Sequence, residues 1–332
     1  MSPIKCAQFG LGPIGIASLQ LVAERAGMEI VGAIDIDPTK AGRPVAEVAG
    51  LKSESGRVFE SFAALREAAG RIDVVLHTAG SDVNATLGQI EPMVRAGVSV
   101  ATTCEPMLFP ALTAPEGAAA LDAACRAGGA RVVGTGVNPG FVMDLLPVVL
   151  TAVTRRVDRI FARRVVDAST RRGPLQKKVG SGMEPATFRE RFAAGKAGHA
   201  GFRESAALVA SCLGWPTHDI RETCEPVVAE AAIQTDHFSV KPGQTRGLHQ
   251  IVEVFDGSRQ VIELDLTMAL AEPNPHDLVR VEGDPVIEFE ARAGVAGDTA
   301  TVASLVNVVP RLLAATPGLK LMTDLGSGVA AR

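Results

Sequence analysis

The sequence predicts an α/β protein: a doubly wound parallel sheet at the N-terminus, followed by an α+β domain built on a mixed or antiparallel open sheet. Three observations carry this. Apolar runs alternate with helix-like stretches through the first 145 residues, the rhythm of β-α-β units. After Pro147 the period changes to two, because Ile160 to Val166, and later Ile262, Leu264, Leu266, Met268 and Leu270, alternate with polar neighbours. A glycine cluster, Gly10-Leu11-Gly12-Pro13-Ile14-Gly15, ends the first apolar run and opens a helical one.

Strands are expected near 4–9, 30–35, 73–77, 98–102 and 131–135, with helices between them. The first helix covers Ile16 to Glu24, and Pro13 suits its first turn, where no N–H is needed. The period-two runs read as a half-exposed antiparallel sheet flanked by amphipathic helices near 184–194 and 203–213. Residues 297–315 read as one helix, with Val302, Leu305, Val306, Val309, Leu312 and Leu313 on one side, that returns to the first domain. The expected division is 1–146, 147–294 and 295–332. The Arg-rich stretch from Arg155 to Lys178 reads as a solvated sheet edge or loop, with an anionic-substrate clamp as the alternative.

A chain of 332 residues can bury a large core. Lys and Arg number 33 against 37 Asp and Glu, a net charge of -4 that argues against nucleic-acid and membrane-surface roles and suits a small-molecule ligand. Hydrophobic residues make up 47%, yet no uninterrupted apolar stretch reaches the length of a membrane span, and no signal-peptide pattern opens the chain. Five cysteines without paired spacing predict reduced thiols in a cytoplasmic protein, with neither disulfides nor a metal site. Tyrosine is absent, so proton transfer falls to His, Glu, Asp, Lys or water.

The glycine cluster follows a strand and precedes a helix, and Asp35 stands twenty residues past Gly15 at the end of the next apolar run. That combination reads as a Rossmann dinucleotide pocket: Gly10 for the turn, Gly12 for approach to the pyrophosphate, Gly15 for helix packing. A carboxylate at Asp35 favours the ribose hydroxyls of NAD over the 2′-phosphate of NADP. Arg43 and Lys40 follow closely, which leaves dual use open.

Ligands of such sheets collect at the carboxyl ends of the strands. There stand His77-Thr78-Ala79-Gly80, Thr103-Cys104-Glu105 and the run from Gly134 to Phe141. Glu105 is the first candidate for catalysis, since a carboxylate beside a nicotinamide can bind an ammonium or iminium group and move its proton. Cys104 offers the competing chemistry of a thiolate that attacks an aldehyde. His77 reads as a cofactor contact or a structural histidine, and His249 as packing. Asn138 can hydrogen-bond a carboxamide or substrate, Phe141 can form an apolar wall, and His199 can reach a cleft from the second domain.

Five strings together resemble the 2,4-diaminopentanoate dehydrogenase family and its relatives, the native amine dehydrogenases, which are similar in fold to dihydrodipicolinate reductase. They are residues 10–15, Thr103-Cys104-Glu105, 134–141, Val166-Asp167-Ala168-Ser169-Thr170-Arg171-Arg172 and Pro317-Gly318-Leu319. The likeness spans nearly the whole chain. It implies that Glu105 is the catalytic carboxylate of an NAD(P)-dependent oxidative deamination, or of reductive amination of a small ketone or aldehyde with ammonia. It also implies cofactor contacts at Gly10, Gly12, Pro13, Ile14, Gly15, Asp35 and 77–80, with Phe141 in the substrate pocket. The paired histidines and lysine motif of true dihydrodipicolinate reductases are missing. We expect Arg43, Thr103 and Cys104 on the cofactor side, Asn138, Phe141, Asp167 and His199 on the substrate side, and a homodimer joined through an apolar row of the second sheet. The competing expectations are a Cys104-dependent aldehyde dehydrogenase and a non-catalytic cofactor-binding sensor.

Overall fold

A computed structural model describes residues 2–52 and 55–326. The chain forms two compact units, Met1–Phe141 with Ala296–Arg332, and Val142–Val295. The first unit runs β1 (Ile4–Phe9), α1 (Pro13–Ala23), β2 (Met28–Ile34), α2 (Val45–Ala49), β3 (Val58–Phe59), α3 (Phe62–Ala69) and β4 (Val74–His77). It continues with α4 (Val83–Arg95), β5 (Ser99–Thr102), a 3₁₀ turn (Glu105–Leu108), α5 (Pro115–Gly128) and β6 (Arg131–Gly134). The second unit holds α6 (Leu145–Thr151), β7 (Arg156–Asp167), α7 (Gly173–Lys178), α8 (Pro185–Ala193), α9 (Phe202–Cys212) and β8 (Ile220–Val228). Its remaining strands are β9 (Ile233–Gln234), β10 (Ser239–Val240), β11 (Thr245–Asp256), β12 (Arg259–Ala269), β13 (His276–Asp284) and β14 (Ile287–Arg292). The chain then returns to the first unit as α10 (Gly297–Asn307), α11 (Val309–Ala314), β15 (Gly318–Lys320) and α12 (Met322–Leu325).

The sheet of the first unit has the order β15-β6-β5-β4-β1-β2-β3, with every pair parallel. Both faces are covered, which is why β4 and β5 read as unbroken buried runs rather than alternating ones. On one side Val75, Val100 and Val132 pack with Ile90, Met93 and Leu121 of α4 and α5. On the other, Leu11 and Leu19 pack with Ala33, Val45 and Val58. The five expected strands are present, joined by β3 and β15, whose two and three residues are too short to show a period. The helix expected over 297–315 is two helices, since Pro310 has no N–H to continue the ladder from Val306.

The second unit carries a six-stranded sheet in the order β14-β13-β7-β12-β11-β8. The alternating runs of β7 and β12 are neighbours but pair parallel, so the sheet is mixed. Period-two burial marks a sheet with one exposed face; it does not mark strand direction. Ile262, Leu264, Leu266 and Leu270 are fully buried, with α9 packed on β11 and β12. The apolar row expected to remain for a partner is thus covered within the unit.

The opposite face is charged. Arg163 bonds Asp265 at 2.8 Å, and Asp265 also takes the His249 ring at 2.8 Å. Hydrogen bonding to Asp265 raises the His249 pKa, so this histidine has a polar partner rather than a packing role alone. Arg159 reaches Glu263 at 2.6 Å and Glu282 at 3.3 Å. Arg164 points to the buried face, where it pairs with Asp277 at 3.0 Å. Arg159, Arg163 and Arg164 therefore stand on an interior strand with cross-strand acids, which corrects the reading of a solvated edge or loop for these three, while residues 168–172 do form a loop.

Candidate active site

Strand register aligns the site. Ile34, Phe9, His77, Thr102 and Gly134 are partners across β2, β1, β4, β5 and β6. One residue further along each strand stand Asp35, Gly10, Thr78, Thr103 and Thr135, a line across the carboxyl edge. The chain order of the strands reverses between β1 and β4, and this switch point is where open α/β sheets hold ligands.

The glycine loop leaves β1 at this point. Gly10 has φ +90°, and a Cβ on Gly15 would lie 1.9 Å from the Gly10 carbonyl oxygen, so neither position accepts a side chain. Gly12 differs: a Cβ there meets nothing within 4 Å. That open space sits at the N-terminus of α1, whose first amides have no intrahelical partner. It suits the pyrophosphate of a dinucleotide. Gly12 and Pro13 are exposed and Ile14 is half-buried.

Three side chains hold the loop from below. Gln8 Nε2 donates to the Gly10 carbonyl at 3.1 Å and to Thr78 Oγ1 at 2.9 Å. The Thr78 hydroxyl donates to the same carbonyl at 3.0 Å. Asp35 Oδ2 accepts the Leu11 N–H at 2.7 Å, and Asp35 Oδ1 accepts the Asp37 N–H at 2.9 Å. Lys40 Nζ stands 3.4 Å from Asp35 and 3.3 Å from Asp37. Arg43 is exposed and engaged with Glu47 at 2.6 Å. Ala79 and Gly80 lie exposed after Thr78.

Glu105 begins the turn that follows β5, and Pro106 sits in its first positions. The turn lies hard against β6, for a Cβ on Gly134 would come within 2.3 Å of the Met107 backbone. Behind it, His77 is fully buried, with Nδ1 3.0 Å from Thr102 Oγ1 and Nε2 2.9 Å from Gln89 Oε1. Burial lowers its pKa. Both ring nitrogens are engaged away from solvent, which corrects the expectation that this side chain touches the cofactor.

Cys104 lies in the hydrophobic core beside Val100 and Leu121. Burial pushes its thiol up to about 11, with the Glu105 carboxylate adding to the rise. A buried neutral thiol is neither a nucleophile nor a cofactor contact, so both expectations for Cys104 are corrected. None of the five cysteines is in a disulfide, and Cys212 is exposed.

After β6, Thr135 bonds Ser304 of α10 at 2.7 Å. The Asn138–Pro139 peptide is cis, and a Cβ on Gly136 would lie 2.6 Å from the Pro139 carbonyl oxygen, so the 134–141 run is a tight turn. Asn138 and Phe141 are half-buried there. Asp167 and His199 belong to the second unit. Asp167 ends β7 and accepts the Ser169 N–H at 2.9 Å. The His199 backbone is held at both ends by buried Gln250, at 2.7 and 3.2 Å. Thus the carboxyl edge of the first sheet brings together the glycine loop, Asp35, Thr78, Thr103, Glu105 and the 134–141 turn. Sequence reasoning missed Gln8 and Gln89, and gave Thr102 and Thr135 no role of their own within the segments it singled out. Only Gln8, a polar residue inside an apolar strand, carries a local signal. Among the described residues no group of three or more His, Cys, Asp or Glu is arranged to hold a metal ion.

A classic strand order, a glycine loop at its switch point and an acid closing β2 define a nicotinamide-dinucleotide-dependent oxidoreductase. Residues 141–331 match the family profile of the 2,4-diaminopentanoate dehydrogenase C-terminal domain. The chain belongs to the 2,4-diaminopentanoate dehydrogenase family. It is 27% identical to the 2,4-diaminopentanoate dehydrogenase of Acetoanaerobium sticklandii, across 98% of this chain and 94% of that one. It is 25% identical to an amine dehydrogenase of Streptomyces virginiae, across 97% and 96%. The solved structure of an amine dehydrogenase from Mycobacterium smegmatis superposes with a TM-score of 0.86 at 23% identity, covering 100% of this chain and 97% of that one. A dihydrodipicolinate reductase from Paenisporosarcina sp. TG-14 shares the fold at a TM-score of 0.53 and 12% identity, covering 96% and 97%.

Proposed function

We propose that this protein is an NAD(P)-dependent amine dehydrogenase. It converts a small primary amine, oxidised cofactor and water into a ketone or aldehyde, ammonia, reduced cofactor and a proton, and it runs the reverse amination. The carrying observation is the station of Glu105, at the carboxyl edge beside the switch point in a chain of this family. A bound nicotinamide supplies or accepts the hydride. The remaining work falls to the chain's own side chains.

Glu105 pairs with the cationic nitrogen of the ammonium or iminium and moves its proton, an interaction that strengthens as water leaves the site. Phe141 forms the apolar wall and Asn138 bonds the substrate or carboxamide, with Asp167 and His199 as further proposed substrate residues. The glycine loop takes the pyrophosphate with Gly12 and the amides of Ile14 and Gly15, while Ala79, Gly80 and Thr103 border the cofactor. Asp35 favours NAD. Lys40 offsets part of its charge, which supports turnover with NADP as well.

Five cysteines without a disulfide suit the cytoplasm, and among the described residues no helix is long and apolar enough to cross a membrane. We assign the chain to a homodimer, through the face of the second sheet that carries Phe161, Val165 and Ile251 among its ion pairs. The functional test is a panel of small ketones and aldehydes with ammonia and either NADH or NADPH. Wild-type turnover depends on ammonia, and Glu105→Gln lowers kcat by about 100-fold or more. Equal kcat in the two proteins rejects the role of Glu105, and a preference for NADPH rejects that of Asp35.

A further inference from the structure

Behind the Glu105 turn runs a chain of hydrogen bonds whose direction is fixed by chemistry. Gln89 Oε1 can only accept, so His77 Nε2, 2.9 Å away, carries the ring proton. In a neutral imidazole Nδ1 then accepts, and its partner at 3.0 Å is the Thr102 hydroxyl, which must donate. That leaves the Thr102 oxygen to accept, and at 3.1 Å it takes the Cys104 N–H. Cys104 directly precedes Glu105. His77 and Thr102 are fully buried, and Gln89 is half-buried.

We propose that Gln89, His77 and Thr102 form a positioning relay that fixes the Cys104 amide, and through it the direction in which Glu105 leaves β5. The relay rests on the amine-dehydrogenase reading for its catalytic meaning. None of its side chains touches substrate. Its contribution is orientation: a carboxylate on a short turn is aimed by the torsions of the residue before it, and an Å of misplacement costs rate steeply. Burial keeps the imidazole neutral, which preserves the acceptor at Nδ1.

Two variants and one spectrum test this. Thr102→Val keeps the shape but removes both hydrogen bonds. It lowers kcat of ammonia-dependent reduction by about 10-fold and leaves the KM for reduced cofactor unchanged. Thr102→Ser, which keeps the hydroxyl, restores most of kcat, whereas a merely structural methyl contact would not be rescued this way. In the full-length protein, ¹⁵N spectra near pH 8 show His77 with a protonated Nε2 and a bare Nδ1, and its titration lies below that of an ordinary histidine. Wild-type kcat in Thr102→Val, equal loss in both threonine variants, or a protonated Nδ1 overturns the relay. If the wild-type protein shows no amine-dependent turnover, the functional reading falls and takes the relay's catalytic role with it. Turnover that Thr102→Val leaves intact removes the relay alone.

Discussion

A single missing carbon decides the cofactor loop. At Gly15 an added Cβ would lie 1.9 Å from the Gly10 carbonyl oxygen, 2.9 Å from Thr78 Oγ1 and 3.0 Å from Gln8 Nε2. The groups it would push aside are the ones that hold the turn. Gly15→Ala therefore weakens NAD(P)H binding by about 10-fold or more, about 1.4 kcal/mol, measured by fluorescence titration, while circular dichroism stays that of the wild type. Unchanged affinity would show that the loop is not held as described. The same scale explains which residues were legible. Gly10, Gly12, Gly15 and Asp35 declare themselves by spacing, because backbone geometry demands them. For His77 and Cys104 spacing leaves a cofactor contact and a packing role both open, and the structure turns both side chains inward. Gln89 and Thr102 carry no local signal, since their roles exist only once α4 and β5 are packed together.

At the level of elements, the two sheets differ in what they reveal. Five strands of the parallel sheet are legible as apolar runs bounded by helix signals, whereas β3 and β15 are too short to show. The second sheet shows its exposed face through alternation but hides its strand order, because β7 and β12 pair across a chain separation that contains four other strands. Its open face is where an association is expected. Phe161 lies there between the guanidinium groups of Arg159 and Arg163, 6.0 and 5.1 Å from its ring centroid, with Val165 and Ile251 half-buried nearby. Light scattering of the wild-type protein gives twice the 34.5 kDa chain mass, and Phe161→Glu returns it to the single-chain value. A wild-type mass of one chain contradicts the assignment.

For the whole molecule, family membership and site chemistry converge on one reaction, in which a hydrogen leaves the carbon that bears an amino group. In the proposed reaction Glu105 manages charge and proton at nitrogen, and the glycine loop holds the acceptor. The most direct measurement uses primary amines deuterated at that carbon, offered with NAD or NADP. The account predicts ammonia release matched mole for mole by reduced cofactor carrying the deuterium at the nicotinamide ring, and loss of both in Glu105→Gln. Reduced cofactor that carries no deuterium, or that forms without ammonia, would contradict it.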